Sequence, residues 1–120
     1  MAYNSIENIY DRPGHYIVSE AANIYRSREQ GFVAAGAGKL TAGMVLKSDG
    51  AGKWVPFDGT GTAARVLFES CDATAADARR TMSVRDTEVQ VDVLQWMAGV
   101  TDVQKTAALA SLAAAGIIGR

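Results

Sequence analysis

Turn-forming residues recur at short intervals through the middle of the chain, and they limit the elements between them to short strands. They stand at Gly36, Gly38, Asp49-Gly50, Asp58-Gly59 and Gly61. Glycine adopts a positive φ at no steric cost, and Asp-Gly is a strong hairpin signal. Short apolar or alternating runs between such signals are typical of a small β-barrel or a clip-like sheet.

The runs between these turns predict the strands. Two of them alternate, with Met82 and Val84 on one face of "RRTMSVR" and Val89, Val91 and Val93 together on one face of "EVQVDV". Pro56 places "KWVPF" at a sheet edge or a bulge, because proline cannot donate to the ladder. The predicted strands are "FVAA", "LTAGMVLK", "KWVPF", "AARVLFES", "RRTMSVR", "EVQVDV" and a closing "GIIGR".

The C-terminal part changes period and predicts one helix over about residues 102–115. Thr101 suits the N-cap, and Gln104 three residues later completes a capping box. Gly116 suits the position after the helix, which often needs a positive φ. The predicted fold class is therefore α+β and mainly β, a small barrel or clip-like core with one C-terminal helix.

The first thirty residues differ from the rest in composition. They hold all four tyrosines, show no sustained periodicity and are interrupted by Pro13-Gly14. Tyrosine is enriched at interfaces because it gives a large contact area at low entropy cost. We predict an extended N-terminal arm over residues 1–30, ending in a strand-like "NIYRSRE", and a β-rich core over residues 31–120. The alternative is that the arm packs on its own domain.

Charge and composition exclude several classes of function. The 12 basic and 13 acidic residues give a net charge of −1 and are spread evenly, so the basic stripe of a nucleic-acid binder is missing. No apolar run approaches the roughly 18 residues of a membrane span, and the N-terminus lacks a signal-peptide pattern. We expect a soluble protein made in a cytosol. A single cysteine, Cys71, excludes an internal disulfide framework.

The phrase "GAGK" occurs twice, at Gly36–Lys39 and Gly50–Lys53, and raises the possibility of phosphate binding. A P-loop needs an upstream glycine and a Ser or Thr after the lysine. Val33 and Lys47 hold the upstream positions, and Leu40 and Trp54 follow the lysines, so both copies fail at both ends. The second copy is better interpreted as the hairpin between "MVLK" and "KWVPF".

The sequence also contains no recognisable motif for acid–base catalysis or for metal binding. His15 has no paired acid or nucleophile near it in sequence, and His15 with Cys71 does not form a metal-ligand set. Asp86 and Glu88 fit a charged turn or an edge strand. We therefore predict no catalytic, cofactor-binding or metal-binding residues, and no enzyme.

Five segments in order resemble the bacteriophage head decoration proteins of the lambda type. They lie between residues 40 and 120, and their order, spacing and terminal "GII" after an alanine-rich helix carry the resemblance. The family often has Trp-Pro where this chain has Trp96-Met97. The segments are "LTAGMVL" (40–46), "GKWVPFDG" (52–59), "VRDTEV" (84–89), "VLQW" (93–96) and "KTAALASLAAAGIIGR" (105–120).

The resemblance implies a non-enzymatic virion protein on the outer surface of the capsid, assembled in the host cytoplasm. Such proteins form homotrimers at three-fold and quasi-three-fold positions of the expanded phage head. They bind the major capsid protein there and stabilise the shell against the pressure of packaged DNA. Their N-terminal segment orders on the capsid, where it can add a strand to the capsid protein's sheet. Neither nucleic acid nor membrane is an expected partner.

The arm is then the candidate contact with the capsid, and four aromatic residues are expected in the core or at its rim: Trp54, Phe57, Phe68 and Trp96. The Gly-rich β pattern alone also fits another class, a small β-barrel ligand-binding or carrier module of oligomeric type, which would need a formed apolar pocket. The candidate capsid contacts are Tyr3, Ile6, Ile9, Tyr10, Tyr16, Ile17, Ile24, Tyr25, Arg26 and Arg28.

Overall fold

The computed structural model describes residues 12–120, except for the side chain of Ile24. Within this range the chain forms mainly short strands, as the sequence predicts, with one long helix near the C-terminus. A single 3-10 turn, Val91–Val93, follows the ninth strand. The strands are β1 (Ile17–Glu20), β2 (Arg28–Val33), β3 (Gly38–Leu40), β4 (Val45–Ser48), β5 (Trp54–Pro56), β6 (Ala63–Leu67), β7 (Cys71–Ala73), β8 (Ala78–Ser83), β9 (Thr87–Val89) and β10 (Ile117–Gly119). The helices are α1 (Ile24–Ser27) and α2 (Asp102–Ala114).

Five strands close into a barrel in the order β2-β5-β4-β6-β8. The longest pairing joins β2 and β8 antiparallel over six residue pairs, from Arg28 opposite Ser83 to Val33 opposite Ala78. A single parallel pairing, Val33 with Trp54, closes the circle between β2 and β5. Closure removes the exposed edges that such short strands would otherwise present.

Side chains fill the barrel interior. Val33, Leu46, Leu67 and Met82, one from each of four barrel strands, are fully buried and belong to one core cluster. The two-stranded sheet β3-β7 contributes further apolar residues to the same cluster. An eight-stranded barrel is about the smallest that can hold a small ligand. The interior of this five-stranded barrel is filled by its own side chains, so it does not offer the apolar pocket that a ligand carrier would need.

A second core cluster lies between the barrel, α2 and the three-stranded sheet β1-β9-β10. The helix contributes Ala108 and Leu112, both buried. The predicted capping box is present, because Thr101 Oγ1 accepts from Gln104 N and Gln104 Oε1 accepts from Thr101 N. Gly116 has a φ of 93°, which lets the chain turn directly from the helix into β10.

Tyr16 is the largest fully buried side chain of the second cluster. Its hydroxyl lies 2.6 Å from Ser83 Oγ on β8, and both residues are at 0% exposure. The Gln90 amide donates to the Tyr16 carbonyl at 2.8 Å. One residue near the N-terminus is therefore held both by the barrel and by the segment that follows β9.

The predicted arm extends too far toward the core. From Tyr16 onward the chain belongs to the folded domain, because β1 pairs with β9 and β2 is a barrel strand. The segment "NIYRSRE", expected to be a strand free for pairing, is a helical turn at Ile24–Ser27 followed by the start of β2. The partners of these residues lie more than fifty positions away in sequence, so local patterns gave no sign of them.

Two details of the strand prediction are also wrong. β9 ends at Val89, and Val91–Val93 form the 3-10 turn, so the three valines do not line one strand face. The alternation in "RRTMSVR" places Ser83 on the face opposite Met82 and Val84, yet all three residues are buried, and the Ser83 hydroxyl lies against Tyr16.

The first "GAGK" copy is a turn that runs into β3 at Gly38, and the second copy is a turn throughout. Gly50 and Gly52 have φ values of 84° and 86°, and the second copy joins β4 to β5 as the predicted hairpin. The Asp49 carboxylate accepts from the amides of Ala51 and Lys53 at 2.7 and 3.0 Å and so closes this loop. The loop amides are thus turned toward a side chain of the protein itself.

The Tyr16–Ser83 contact predicts a specific pattern of stability changes. Tyr16→Phe should lower the free energy of unfolding by about 1–2 kcal/mol, because it leaves the buried Ser83 hydroxyl without its partner. Tyr16→Ala should cost about 3–5 kcal/mol, because it also opens a cavity. Adding Ser83→Ala to Tyr16→Phe should recover part of the first loss, and urea denaturation measures all four proteins. A change of a few tenths for Tyr16→Phe would contradict this role.

Candidate interaction surface

The chain enters the described fold through a short, firmly held turn. The Gly14 amide donates to the Phe68 carbonyl at 2.9 Å, and His15 Nε2 lies 2.9 Å from the Ala42 carbonyl. Gly14 has a φ of +70°, and a Cβ built there would lie 2.7 Å from Phe68 Cε1. Whatever residues 1–11 contact is therefore connected to the barrel through Gly14, His15 and Tyr16.

A charged cluster braces this entry from the side. Arg28 lies over the Phe68 ring, with its guanidinium carbon 4.2 Å from the ring centroid. The same guanidinium forms a close ion pair with Glu20, whose carboxylate also accepts from Ser27 Oγ at 2.7 Å. Burial alone would raise the pKa of Glu20, but the hydrogen bonds from Arg28 and Ser27 outweigh it and lower the pKa. The cluster fixes β1, α1 and β2 against one another.

β1 lies at one end of the sheet order β1-β9-β10, so within the described residues only one of its edges is paired. Val18 on this strand is 55% exposed. On the paired side, Glu88 of β9 accepts from Ser19 Oγ at 3.1 Å and from Arg120 Nη2 at 2.6 Å. The outer edge of β1 has no partner strand among the described residues, and a strand of another protein could extend the sheet there.

The structure separates the predicted contact residues into three groups. Tyr3, Ile6, Ile9 and Tyr10 lie outside the described residues, as does the Ile24 side chain. Tyr16 is a core residue and Ile17 packs partly against the same cluster, so neither presents a free surface. The third group lies around α1 and the start of β2, and it consists of Tyr25, which is 84% exposed, Arg26, which pairs with Asp86 at 3.7 Å, and Arg28.

Of the four aromatic residues expected in the core or at its rim, Phe57 lies in the core and the other three are half-buried at its rim. Phe57 is 2% exposed, and Trp96 stands edge-on to it with ring centroids 6.4 Å apart. Trp54 is half-buried against the barrel core, with the Arg65 guanidinium 4.1 Å from its ring centroid. Phe68 is half-buried beneath Arg28. None of these rings is aimed at a vacant cleft.

Sequence reasoning missed several exposed apolar side chains. Phe32 is 46% exposed on β2, Met97 is 45% exposed, and Val103 is 80% exposed in the first turn of α2. The sequence predicts a strand at "FVAA" but does not say which of its side chains are exposed. The exposure of Val103 had a detectable signal, since Ala108 and Leu112 define the buried face of the helix and Val103 lies off it.

The residues considered for chemistry have structural roles. Burial raises the pKa of the Cys71 thiol, which is 8% exposed and lies in the barrel cluster. Asp86 has a φ of 53° in the turn before β9, and Glu88 is engaged by Arg120. Across residues 12–120, no three potential metal ligands come together. Over the same range, no helix is long and apolar enough to cross a membrane.

A comparison with protein families decides what this fold is. Residues 8–117 match the family described as bacteriophage lambda head decoration protein D. The chain belongs to this family. A search among curated proteins found no match. The match spans every strand and both helices except the last two residues of β10, and it gives the chain a capsid-binding structural role in the phage virion.

The entry turn predicts different costs for two glycine substitutions. Gly14→Ala places an alanine in a left-handed backbone conformation and brings its Cβ too close to the Phe68 ring, which must shift. It should lower the free energy of unfolding by about 2 kcal/mol or more. Gly36→Ala is the matched control, because its φ is +91° but nothing lies within 4 Å of the added Cβ. The control should cost only the conformational strain of about 1 kcal/mol. Thermal unfolding of both variants measures the difference, and equal costs would contradict the Phe68 contact.

The Glu20 cluster predicts a dependence of stability on pH. Because the pKa of Glu20 is lower in the folded protein than its ordinary value of 4.5, its contribution is complete above that pH and is lost as the pH falls through the folded-state pKa. Glu20→Gln should cost about 1–2 kcal/mol at neutral pH and flatten the decline in acid. Asp92→Asn, at an exposed carboxylate, is the control and should keep the decline. Parallel curves for wild type and Glu20→Gln between about pH 5 and 3 would contradict the assignment.

Proposed function

We propose that this chain binds the outside of the expanded phage head as a homotrimer at three-fold and quasi-three-fold positions. There it contacts the major capsid protein and stabilises the shell against the pressure of packaged DNA. The observation that carries the proposal is the family match over residues 8–117, which covers nearly the whole described fold. The role is structural, without catalysis and without nucleic acid or membrane as a partner.

The N-terminal residues are the proposed grip on the capsid. Residues 2–11 include Tyr3, Ile6, Ile9 and Tyr10, which are the large apolar and aromatic side chains that favour protein interfaces. A capsid-bound segment can hold the protein on the shell only if the segment is firmly attached to the folded domain. Here the attachment would be the Gly14–Phe68 hydrogen bond together with the buried Tyr16, whose hydroxyl contacts Ser83 on β8.

Strand addition remains the proposed mode of contact, but at a different segment. Arg28 and Glu29 lie on β2, which has β8 and β5 as its neighbours in the closed barrel, whereas β1 is an outer strand of its sheet. The open edge of β1 and the residues that precede it take over this role. Backbone hydrogen bonds would supply affinity there, and exposed side chains such as Val18 would supply register.

A trimer strengthens a modest grip. Once one N-terminal segment is bound, the other two are held near their own sites at a high effective concentration. The net charge of −1 fits binding by backbone hydrogen bonds and apolar contacts, which do not depend on long-range electrostatic attraction to the shell.

Deleting residues 2–11 tests the proposal while leaving Tyr16 and β1 in place. The truncated chain should unfold at the same urea concentration as the full chain, and its affinity for expanded heads should fall at least about tenfold, or 1.4 kcal/mol. Cosedimentation of each protein with undecorated expanded heads measures binding, and bare unexpanded heads are the control. Unchanged binding by the folded, truncated protein would contradict the proposed grip.

A further inference from the structure

The exposed large apolar side chains of the described residues include two groups that lie on different elements. Tyr25 and Phe32 lie on α1 and β2, whereas Met97 and Val103 lie before and within the first turn of α2. Arg79 lies opposite Phe32 on the neighbouring strand, and Asp102 directly precedes Val103. We name the first group with Arg79 the aromatic patch, and the second group with Asp102 the helix-start patch.

On β2 and β8, the aromatic patch is a strip of side chains from paired residues. Phe32 is directly opposite Arg79, and two residues along the strand Gln30 is opposite Thr81. Gln30 Nε2 donates to Thr81 Oγ1 at 2.9 Å. Tyr25, Arg28, Glu29, Gln30 and Thr81 line a cavity of about 240 Å³ at the end of this strip. Aromatic and arginine side chains around a cavity are the usual composition of an interface centre.

Among the described residues, the charged member of each patch forms no ion pair with another side chain. Seven basic side chains of the described residues form ion pairs, among them Arg26, Arg28 and Arg85 around the strip itself. Arg79 takes part in none of these ion pairs, and neither does Asp102. Both are exposed. A basic patch with exposed aromatic rings and an acidic patch with exposed aliphatic groups are complementary surfaces on one molecule.

We infer that the aromatic patch of one copy docks on the helix-start patch of the next copy, with Arg79 facing Asp102. This inference rests on the proposed trimer. A cyclic trimer needs a heterologous contact, in which every chain presents two different and complementary surfaces. Tyr25 and Phe32 would supply most of the apolar contact with Met97 and Val103, and the charge pair would fix the orientation.

The surroundings of the helix-start patch suit burial. From Thr106 to Ala115 the helix carries no charged residue, and the exposed positions Ala107, Ala110 and Ala114 continue the surface beyond Val103. Burying the alanine positions would therefore remove no charged group from water, and Asp102, the charged residue of the patch, would be paired with Arg79. A capsid subunit could also cover either patch, but the matching of charge and apolar character within one chain favours a second copy.

Charge reversal tests the contact through the mass in solution. Arg79→Asp and Asp102→Arg should each raise the concentration at which the trimer half-dissociates by at least about tenfold. The double variant restores an opposite-charge pair and should regain most of the lost affinity. Lys39→Asp makes the same charge change on β3, outside both patches, and should leave the trimer as it is. Sedimentation equilibrium measures the mass against three times the chain mass of 12.7 kDa.

The outcomes separate this inference from the proposed function. Loss of trimer in both single variants with recovery in the double variant supports the inference. Asp102→Arg also removes a favourable negative charge from the first turn of α2, and the double variant still lacks it, so recovery cannot come from the helix. Trimers of unchanged strength in both single variants overturn the inference, while the proposed trimer stands. If those trimers also lose head binding, the patches face the capsid instead. A wild-type monomer at every concentration would overturn both the contact and the trimer. Circular dichroism confirms that each variant is folded.

Discussion

The burial of Tyr16 is the contact on which the N-terminal part of this structure depends. Its ring fills the cluster between the barrel, α2 and the three-stranded sheet, and its hydroxyl meets Ser83 on β8 at 2.6 Å. Burial raises the pKa of the hydroxyl, so it stays neutral and keeps its hydrogen bond throughout the physiological range. A residue four positions beyond the start of the described chain thereby becomes part of the core, and β1 is held at the right place to pair with β9.

Short strands support a stable fold here for two reasons. The barrel closes, and its strands contribute side chains to two core clusters, one inside the barrel and one between the barrel and α2. β4 and β6 contribute side chains to both: Leu46 and Leu67 fill the interior together with Met82 of β8, while Val45 and Val66 belong to the cluster that includes the helix residues. Among residues 12–120, β1 and β10 are the outer strands of the three-stranded sheet, and each has a partner strand on one side only. A virion protein that must hold neighbours together can use such an edge, whereas a monomeric protein would cover it.

The sequence predicts the elements whose signals are local. Thr101, Gln104 and Gly116 bound the helix, and Asp49-Gly50 marks the hairpin, since caps and turns depend on neighbouring residues. The end of the arm could not be found in this way. The partner of Tyr16 is 67 positions away, and that of Arg28 is 55 positions away on β8, so only the folded chain shows that both belong to the domain.

The same limit applies to the candidate site. Composition directs attention to the N-terminal tyrosines, but it cannot separate a tyrosine in the core from one on the surface. Tyr16 and Tyr25 look alike in sequence, and they lie at 0% and 84% exposure. Phe32 and Val103 were missed because one stands in an apolar strand and the other in a helix, where a buried position is the ordinary expectation.

The number and position of chains on the head test the central claim most directly. A cryo-electron microscopy reconstruction of expanded heads saturated with this protein should show three copies around each three-fold and quasi-three-fold position. Each copy should have its β1 edge toward the capsid protein. Density at other positions of the shell, single copies at each site, or heads that remain bare would contradict the account.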